Sequence, residues 1–527
     1  MTKHTIVVCD HIHEDGLNIL QSTEDINYVY AADIDKTALL DVVKDADVVI
    51  TRSSTDVDER FLSSATNLKA IIRAGVGYDN VDMDGCSKRG IIAMNVPTAN
   101  TIAAVELTMT HLLSCMRKMP YAHSQLKDQR VWKREDWYGR ELFGKKLGVI
   151  GFGNIGHRVA LRAKSFEMDV ITFDPYVPST KATDLGIKYA SSFEEILDCD
   201  IITIHTPKNK ETLNIIGEEE IAKMKDGVVL INCARGGLYN EDALYNNLKS
   251  GKISMAGIDV FIKEPATSNK LLDLDNIIVT AHLGANTKES QKQISIQAAQ
   301  NAIESARGIA YPNALNLPID ESKIPNFVKP YIELTQKMAF LLAQSDKSAI
   351  RSITISAQGD IKEYLDSLTT FATVGALSVS AENDVNYVNA SFIAKEKNIT
   401  FEETEILSST GYSNRVKITI TTQNGINTIS GTVFDNDVLR IVEFNGFTFD
   451  IEPKGNMILI RNSDVPGVIG EVGRLLGDNG VNIADFRLAR GKECALAVIL
   501  VDSKIDHSVL KKLENIEAAI SVSYVEI

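Results

Sequence analysis

Six residues, Gly151-Phe152-Gly153-Asn154-Ile155-Gly156, separate the apolar run 147–150 from a helical pattern that includes 159–163. Strand, glycine-rich turn and helix in that order leave few folds open. The glycines allow a tight turn and let backbone N–H groups at a helix start approach a pyrophosphate. A bulky side chain at Gly153 would block that approach. The next strand candidate, 169–173, ends in Asp174, which lies 18 positions after Gly156. A carboxylate there accepts hydrogen bonds from both ribose hydroxyls and repels a 2′-phosphate. Pro175 and Tyr176 bring no cation to offset it. The expected cofactor is NAD rather than NADP.

Short apolar runs alternate with helical patterns on both sides of this motif, as in a parallel sheet flanked by helices. Strand candidates 147–150, 169–173, 200–204, 228–232, 255–260 and 277–280 suit a complete dinucleotide-binding sheet. Upstream, 5–9, 46–50, 68–73 and 91–95 form a second set. The pattern predicts one long helix over 99–118, ending near Pro120, and another over 287–307, ending at Gly308. Two such helices bracketing the nucleotide unit predict that it is inserted into the first unit, with a cleft between them. The expected division is 1–98 with 285–318, then 99–284. Pro312, Pro318 and Pro325 mark a linker. An α+β unit over 319–452 comes next, with β-rich runs at 415–422 and 427–434. A last unit covers 453–527.

The chain has 527 residues, more than one hydrophobic core supports. A net charge of −15 argues against nucleic-acid backbones as partners. Cys9, Cys86, Cys115, Cys199, Cys233 and Cys494 are scattered, with neither a CxxC pair nor metal-ligand spacing, so reduced thiols and no metal site are expected. No long apolar segment comes after Met1 and none is long enough to span a bilayer, so the expected location is the cytoplasm, away from membranes.

Three segments at strand ends carry candidate chemistry. They are Asn232-Cys233-Ala234-Arg235-Gly236-Gly237, Asp259-Val260-Phe261-Ile262-Lys263-Glu264-Pro265 and Thr280-Ala281-His282-Leu283-Gly284-Ala285. Oxidising an alcohol beside a carboxylate needs a base for the hydroxyl proton and a cation for the carboxylate. Histidine suits the first role, because its charge changes near neutrality, and a neighbouring carboxylate orients the ring. Arginine suits the second through its planar fork. His282 is therefore assigned as acid/base, Glu264 as its partner and Arg235 as the substrate anchor.

These segments, in order after the glycine motif, resemble the signatures of the D-isomer-specific 2-hydroxyacid dehydrogenases. The resemblance covers roughly residues 1–318. It implies catalysis by Arg235, Glu264 and His282, and NAD contacts through Ile155, Asp174, Thr206, Cys233, Asp259 and Gly284 beside the glycine turn. In the N-terminal unit, Arg52-Ser53, the run Arg73-Ala74-Gly75-Val76-Gly77-Tyr78-Asp79-Asn80, and Asn100 resemble the phosphoglycerate dehydrogenase branch. There Arg52 and Arg73 would hold a phosphate, and the amides of Gly75 and Val76 a carboxylate, as a small nest. The implied reaction converts 3-phospho-D-glycerate to 3-phosphohydroxypyruvate, the first step of L-serine biosynthesis. The segment Trp132-Lys133-Arg134 falls where relatives form a dimer. The competing readings are a glyoxylate, hydroxypyruvate or lactate dehydrogenase, and a nucleotide-sensing corepressor.

Residues 456–527 read as strand, helix, two strands, helix, strand and resemble an ACT domain. The match rests on Arg461-Asn462-Ser463-Asp464-Val465-Pro466-Gly467 and on Val481-Asn482-Ile483-Ala484. Asp464 can take an ammonium group and helix N-terminal amides a carboxylate, as a free amino acid requires. The resemblance implies L-serine bound through Asn462, Asp464 and Asn482, feedback inhibition, and a homodimer or homotetramer. The expected fold class is α/β: two doubly wound Rossmann-like parallel-sheet domains with a cleft between them, then an α+β intervening domain and a βαββαβ ACT domain. Arg415 and Lys417 form a small basic group in the intervening domain, expected to be solvated.

Overall fold

The computed structural model describes residues 3–318, 324–380, 385–407, 411–435, 437–492 and 494–527. The first sheet takes strands β1 (His4–Val8), β2 (Ile26–Tyr30), β3 (Val48–Thr51), β4 (Ala70–Arg73) and β5 (Ile92–Asn95), in the order β2-β1-β3-β4-β5. Its β2-β1-β3-β4 pairings are parallel. The second sheet takes β6 (Lys146–Ile150), β7 (Asp169–Phe173), β8 (Lys188–Tyr189), β9 (Ile201–Ile204), β10 (Val228–Asn232), β11 (Ile253–Ile258) and β12 (Ile277–Val279), in the order β12-β11-β10-β9-β6-β7-β8. Its pairings are parallel, and β9 and β10 are buried along their length, as a sheet covered on both faces requires. The order reverses between β6 and β9, which places a crevice at the carboxyl ends of those strands.

The two long helices sit as the alternation predicts, with one correction. The first runs Thr101–Arg117 and packs on β10, β11 and β12 of the second sheet. It stops before Pro120, at Lys118, whose φ of 51° is left-handed. Pro120 then opens a second helix, Met119–Lys127. Proline tolerates a first turn because the N–H it lacks has no intrahelical partner there. The other long helix, Lys288–Ala306, is capped by the Thr287 side chain and returns to β1, β3 and β4. Ser295 donates to the carbonyl of His13 at 2.7 Å and Lys292 pairs with Asp15 at 2.9 Å. The nucleotide sheet is thus an insertion in the chain that builds the first sheet. The sequence pattern missed β2 and β8. Both are edge strands, with one neighbour each and little buried surface to print an apolar pattern.

The third sheet takes β13 (Ile350–Gln358), β14 (Thr400–Glu405), β15 (Arg415–Thr422), β16 (Ile426–Phe434), β17 (Val438–Phe444) and β18 (Phe447–Ile451). The fourth takes β19 (Asn456–Ser463), β20 (Ile483–Arg490), β21 (Cys494–Val501) and β22 (Ala519–Glu526), in the order β20-β21-β19-β22. Helices Val468–Asp478 and His507–Glu514 complete a βαββαβ order. The two sheets share a core: Met457, Leu459, Leu496, Leu500 and Val525 cluster with Leu334, Met338, Ile353 and Ile418. Gln344 seals the joint, donating to the Glu526 carbonyl at 3.0 Å and accepting from its N–H at 3.2 Å. Arg415 and Lys417, expected to be solvated, both pair with the one carboxylate of Glu443.

Packing divides the chain into two units. One holds 1–56, 70–80 and 94–313; the other holds 57–69, 81–93 and 314–527. Two stretches of the N-terminal sequence therefore cluster with the C-terminal half. Within that unit the side chain of Asn386 donates to the Gly90 carbonyl at 2.9 Å, and Asn316 donates to the Ile91 carbonyl at 2.8 Å.

Candidate active site

Every candidate catalytic residue lies just past the carboxyl end of a strand. Arg235 lies three residues beyond β10, Glu264 six beyond β11, and His282 three beyond β12. The turn after β10 is tied by Asn232, which accepts from the N–H of Ala234 at 3.0 Å and donates to the carbonyl of Arg235 at 2.9 Å. His282 Nδ1 meets Glu264 Oε2 at 2.8 Å, while Glu264 Oε1 accepts from the Phe261 N–H at 3.0 Å. Burial alone would raise the Glu264 carboxyl. The hydrogen bonds from His282 and Phe261, with the charges of His282 and Arg235, outweigh it and hold the group below its ordinary value. The charge of Arg235 acts on the same carboxyl.

Arg235 also reaches the loop after β4. Its Nε lies 3.4 Å from Asp79, and a Cβ on Gly77 would stand 2.7 Å from a terminal guanidinium nitrogen. From the same loop, Arg73 donates to the Ala74 carbonyl at 3.0 Å and to Asn80 at 3.3 Å. Arg52 lies at the end of β3. Its N–H is held by the buried Asp10, and its guanidinium donates to the His11 carbonyl at 3.0 Å. Burial pushes the Arg73 guanidinium down to about 10, and the charges of Arg52 and Arg235 push the same way against Asp10 and Asp79. Three guanidinium groups thus share one neighbourhood. Ser53 is exposed beside Arg52.

The nest expected at Gly75 and Val76 is half occupied. The Gly75 N–H is donated to the Arg73 carbonyl at 2.8 Å, which bends the loop there and leaves that amide committed. Asn100 precedes the helix Thr101–Arg117, and its side chain does not cap it. Its Oδ1 is buried without a partner among the described residues, as is Thr206 Oγ1 beyond β9. Both are unmet polar atoms at sites the sequence singled out, and a bound ligand would satisfy them.

The glycine turn fits a dinucleotide. Gly151 donates to the Phe173 carbonyl at 2.9 Å, and Asp174 accepts from the N–H groups of Phe152 at 2.8 Å and Tyr176 at 2.9 Å. A Cβ on Gly156 would collide with the Gly151 carbonyl, whereas one on Gly153 would meet nothing within 4 Å. The helix Gly156–Ser165 has no side-chain cap at Ile155, and the N–H groups of His157 and Arg158 turn back to the carbonyls of Gly153 at 3.3 Å and Ile155 at 3.0 Å. Asn154 is exposed on the same turn. Cys233 is buried, and burial raises its thiol. Asp259 is fully buried and receives donors from Thr280, Leu283 and Gly284.

In the C-terminal module, Asn462, Asp464, Pro466, Gly467, Phe486 and Arg490 line a cavity of about 210 Å³. Asn462 is 3% exposed and its Oδ1 has no partner among the described residues. Asp464 pairs with Arg490 at 3.5 Å. Asn482 does not join them. It precedes the first residue of β20, which pairs with Val501, whereas Ser463 pairs with Cys494 at the other end of the sheet. Its amide donates instead to Asp502 at 2.5 Å.

Family models describe three stretches: the NAD binding domain of D-isomer specific 2-hydroxyacid dehydrogenases over 109–284, the D-3-phosphoglycerate dehydrogenase intervening domain over 327–445, and an ACT domain over 456–518. The D-3-phosphoglycerate dehydrogenase of Bacillus subtilis is 38% identical over 99% of both chains. That of Methanocaldococcus jannaschii is 38% identical over 97% of both. The chain belongs to the D-3-phosphoglycerate dehydrogenase family.

As a member of that family it is an NAD-dependent oxidoreductase with an ACT domain. The solved structures it resembles cover about three-fifths of the chain. A D-lactate dehydrogenase from Aquifex aeolicus, solved with NAD and lactic acid, matches 59% of this chain and 99% of its own, with a TM-score of 0.53 and 29% identity. A glyoxylate reductase from Paecilomyes thermophila matches 60% and 99%, with a TM-score of 0.53 and 28% identity. Sequence reasoning did not single out Asp10 and gave Asp79 and Asn80, quoted in the run after β4, no role of their own. Asn80 braces the loops after β3 and β4 by donating to the carbonyls of Arg52 at 2.7 Å and Thr55 at 2.6 Å.

Proposed function

We propose that the chain oxidises 3-phospho-D-glycerate to 3-phosphohydroxypyruvate, with Arg235, Glu264 and His282 as the groups that carry the reaction. The supporting observation is the loop after β4, where Asn80 meets Arg73 at 3.3 Å and the Arg52 carbonyl at 2.7 Å and Asp79 meets Arg235 at 3.4 Å, together with the His282–Glu264 pair at 2.8 Å. In a chain of net charge −15, three close guanidinium groups mark a local anion site. The substrate carries two anionic ends, a carboxylate and a phosphate. Arg235 takes the carboxylate, and Arg52 and Arg73 take the phosphate, with Ser53, Val76 and Asn100 nearby.

Oxidation removes a hydride and a proton from the carbinol. Bound NAD supplies the hydride acceptor. Glu264 holds Nδ1 of His282, so Nε2 is the nitrogen that accepts the hydroxyl proton, and the charged ring that results is stabilised by the same carboxylate. In the reverse direction that proton returns to the carbonyl oxygen. Gly151, Gly153, Asn154, Ile155 and Gly156 hold the pyrophosphate end of the cofactor, Asp174 the ribose, and Thr206, Cys233, Asp259 and Gly284 the remainder. In this reading 1–98 with 285–318 binds substrate, 99–284 binds NAD, 319–452 intervenes and 453–527 regulates. L-serine occupies the cavity at Asn462 and Asp464. The exposed Met119, Leu126, Val131, Trp132, Tyr138 and Phe143 support burial of this segment in a homodimer or homotetramer.

A substrate comparison tests the reading. kcat/KM is expected to be higher for 3-phosphoglycerate than for glycerate. In Arg52→Ala and Arg73→Ala the KM for the phosphorylated acid should rise by about tenfold or more, since a charged hydrogen bond contributes about 1.5–3 kcal/mol, while glycerate turnover stays level. Higher efficiency on glycerate would overturn the assignment.

A further inference from the structure

His111 lies on the helix Thr101–Arg117, only 2% exposed, and none of the roles above uses it. It sits hard against β11, where a Cβ on Gly257 would come within 3.0 Å of its own Cβ. Its Nε2 is 2.8 Å from the hydroxyl of Thr280, and that hydroxyl is 2.5 Å from Oδ1 of Asp259. The direction of each bond is set by what each group can do. Asp259 accepts from the N–H of Leu283 on Oδ1 and of Gly284 on Oδ2, and a carboxylate only accepts, so the Thr280 proton points to it. The hydroxyl oxygen then accepts from His111, which must carry its proton on Nε2. The other ring nitrogen, Nδ1, is buried and unpartnered among the described residues, consistent with a bare lone pair.

Asp259 in turn grips the segment that carries the catalytic ring. Its carbonyl accepts from the N–H of His282 at 2.9 Å, Oδ1 from Leu283 at 2.7 Å, and Oδ2 from Gly284 at 2.9 Å. Three successive amides thus converge on one residue. They hold His282 at φ 54°, a left-handed conformation that a side-chain-bearing residue keeps only where its surroundings impose it.

The geometry points to Thr280 and His111 as positioning residues, which set the Asp259 carboxylate and through it the place of the His282 imidazole. This rests on His282 being the acid/base of the reaction proposed above. The chain His111–Thr280–Asp259 fixes the rotation of a carboxylate that grips two amides with two oxygens. Without the Thr280 hydroxyl, the carboxylate turns to recover a donor and the His111 N–H is left buried and unmet. The reacting nitrogen then moves relative to Glu264 and Arg235. A displacement of about 1 Å at a reacting group costs about 100-fold in rate.

The test uses the full-length enzyme. Thr280→Val keeps the shape of the side chain and removes the hydroxyl; Thr280→Ser restores it. The expected result is a kcat about tenfold or more lower in Thr280→Val, with KM for the acid within about twofold of wild type, and recovery in Thr280→Ser. His111→Gln, whose amide can still donate, should outperform His111→Leu, and this pair answers the question if Thr280→Val does not fold. Wild-type kcat in Thr280→Val, or equal loss in both His111 variants, would sink the inference. His282→Asn is measured alongside. If it keeps its turnover, the acid/base assignment falls and the inference with it. If it loses turnover while Thr280→Val does not, the positioning role alone is wrong.

Discussion

Glu264 is pulled in two directions at once. Burial favours its neutral form; His282, the Phe261 N–H and Arg235 favour the carboxylate and win. A carboxyl whose folded value lies below its unfolded one stabilises the protein above the unfolded value, and that contribution is lost as pH falls through the folded value. The stability gap between wild type and Glu264→Gln should therefore be full at neutral pH and shrink below the ordinary value of 4.5. Urea unfolding at several pH values measures it, and a gap that ignores pH would show the carboxylate is not held as described. At this scale the sequence showed the residues whose chemistry is rare in context: a histidine, a glutamate and an arginine at three strand ends. It did not show Asp10, Asp79 or Asn80. An acidic or amide residue in a loop reads the same whether it faces water or holds a guanidinium, and only folding decides which.

The turn Gly151–Gly156 gives a prediction for the element it joins. A side chain at Gly153 meets nothing within 4 Å, so Gly153→Val should leave the melting temperature and the circular dichroism of the protein unchanged. NADH affinity should nevertheless fall by about tenfold or more, because the amides at the helix start can no longer be approached. Fluorescence titration of NADH decides it: undiminished binding would remove the pyrophosphate from this turn. Most elements were legible because a covered parallel strand is apolar throughout and a glycine turn marks where the next helix starts. The failures have local causes. Pro120 was read as a stop, although at the first turn it starts a helix as well as it ends one. The resemblance to an ACT domain groups Asn482 with Asp464. Yet β20 begins where the sheet lies furthest from that loop, and register, not sequence distance, sets which residues meet.

For the molecule as a whole, the question is whether the C-terminal cavity governs turnover. L-serine is expected to lower the rate of the assembled enzyme. Asp464→Ala should relieve the inhibition by about tenfold in serine concentration, the worth of one charged hydrogen bond to an ammonium group. Its activity without serine should stay at the wild-type level, since Asp464 lies in the ACT module, not among the catalytic groups. Inhibition curves for the two proteins check this, and coincident curves would take serine away from this cavity. Among the described residues no helix is long and apolar enough to cross a membrane.

The stretches 57–69 and 81–93 spend their packing on the C-terminal half, though they are spelled in the N-terminal third. A gene shortened after codon 313 would not yield a tidy unregulated dehydrogenase. It would strip the partners from the carbonyls of Gly90 and Ile91, which Asn386 and Asn316 now satisfy. An engineer who wants the enzyme without its sensor must redesign that seam before deleting anything.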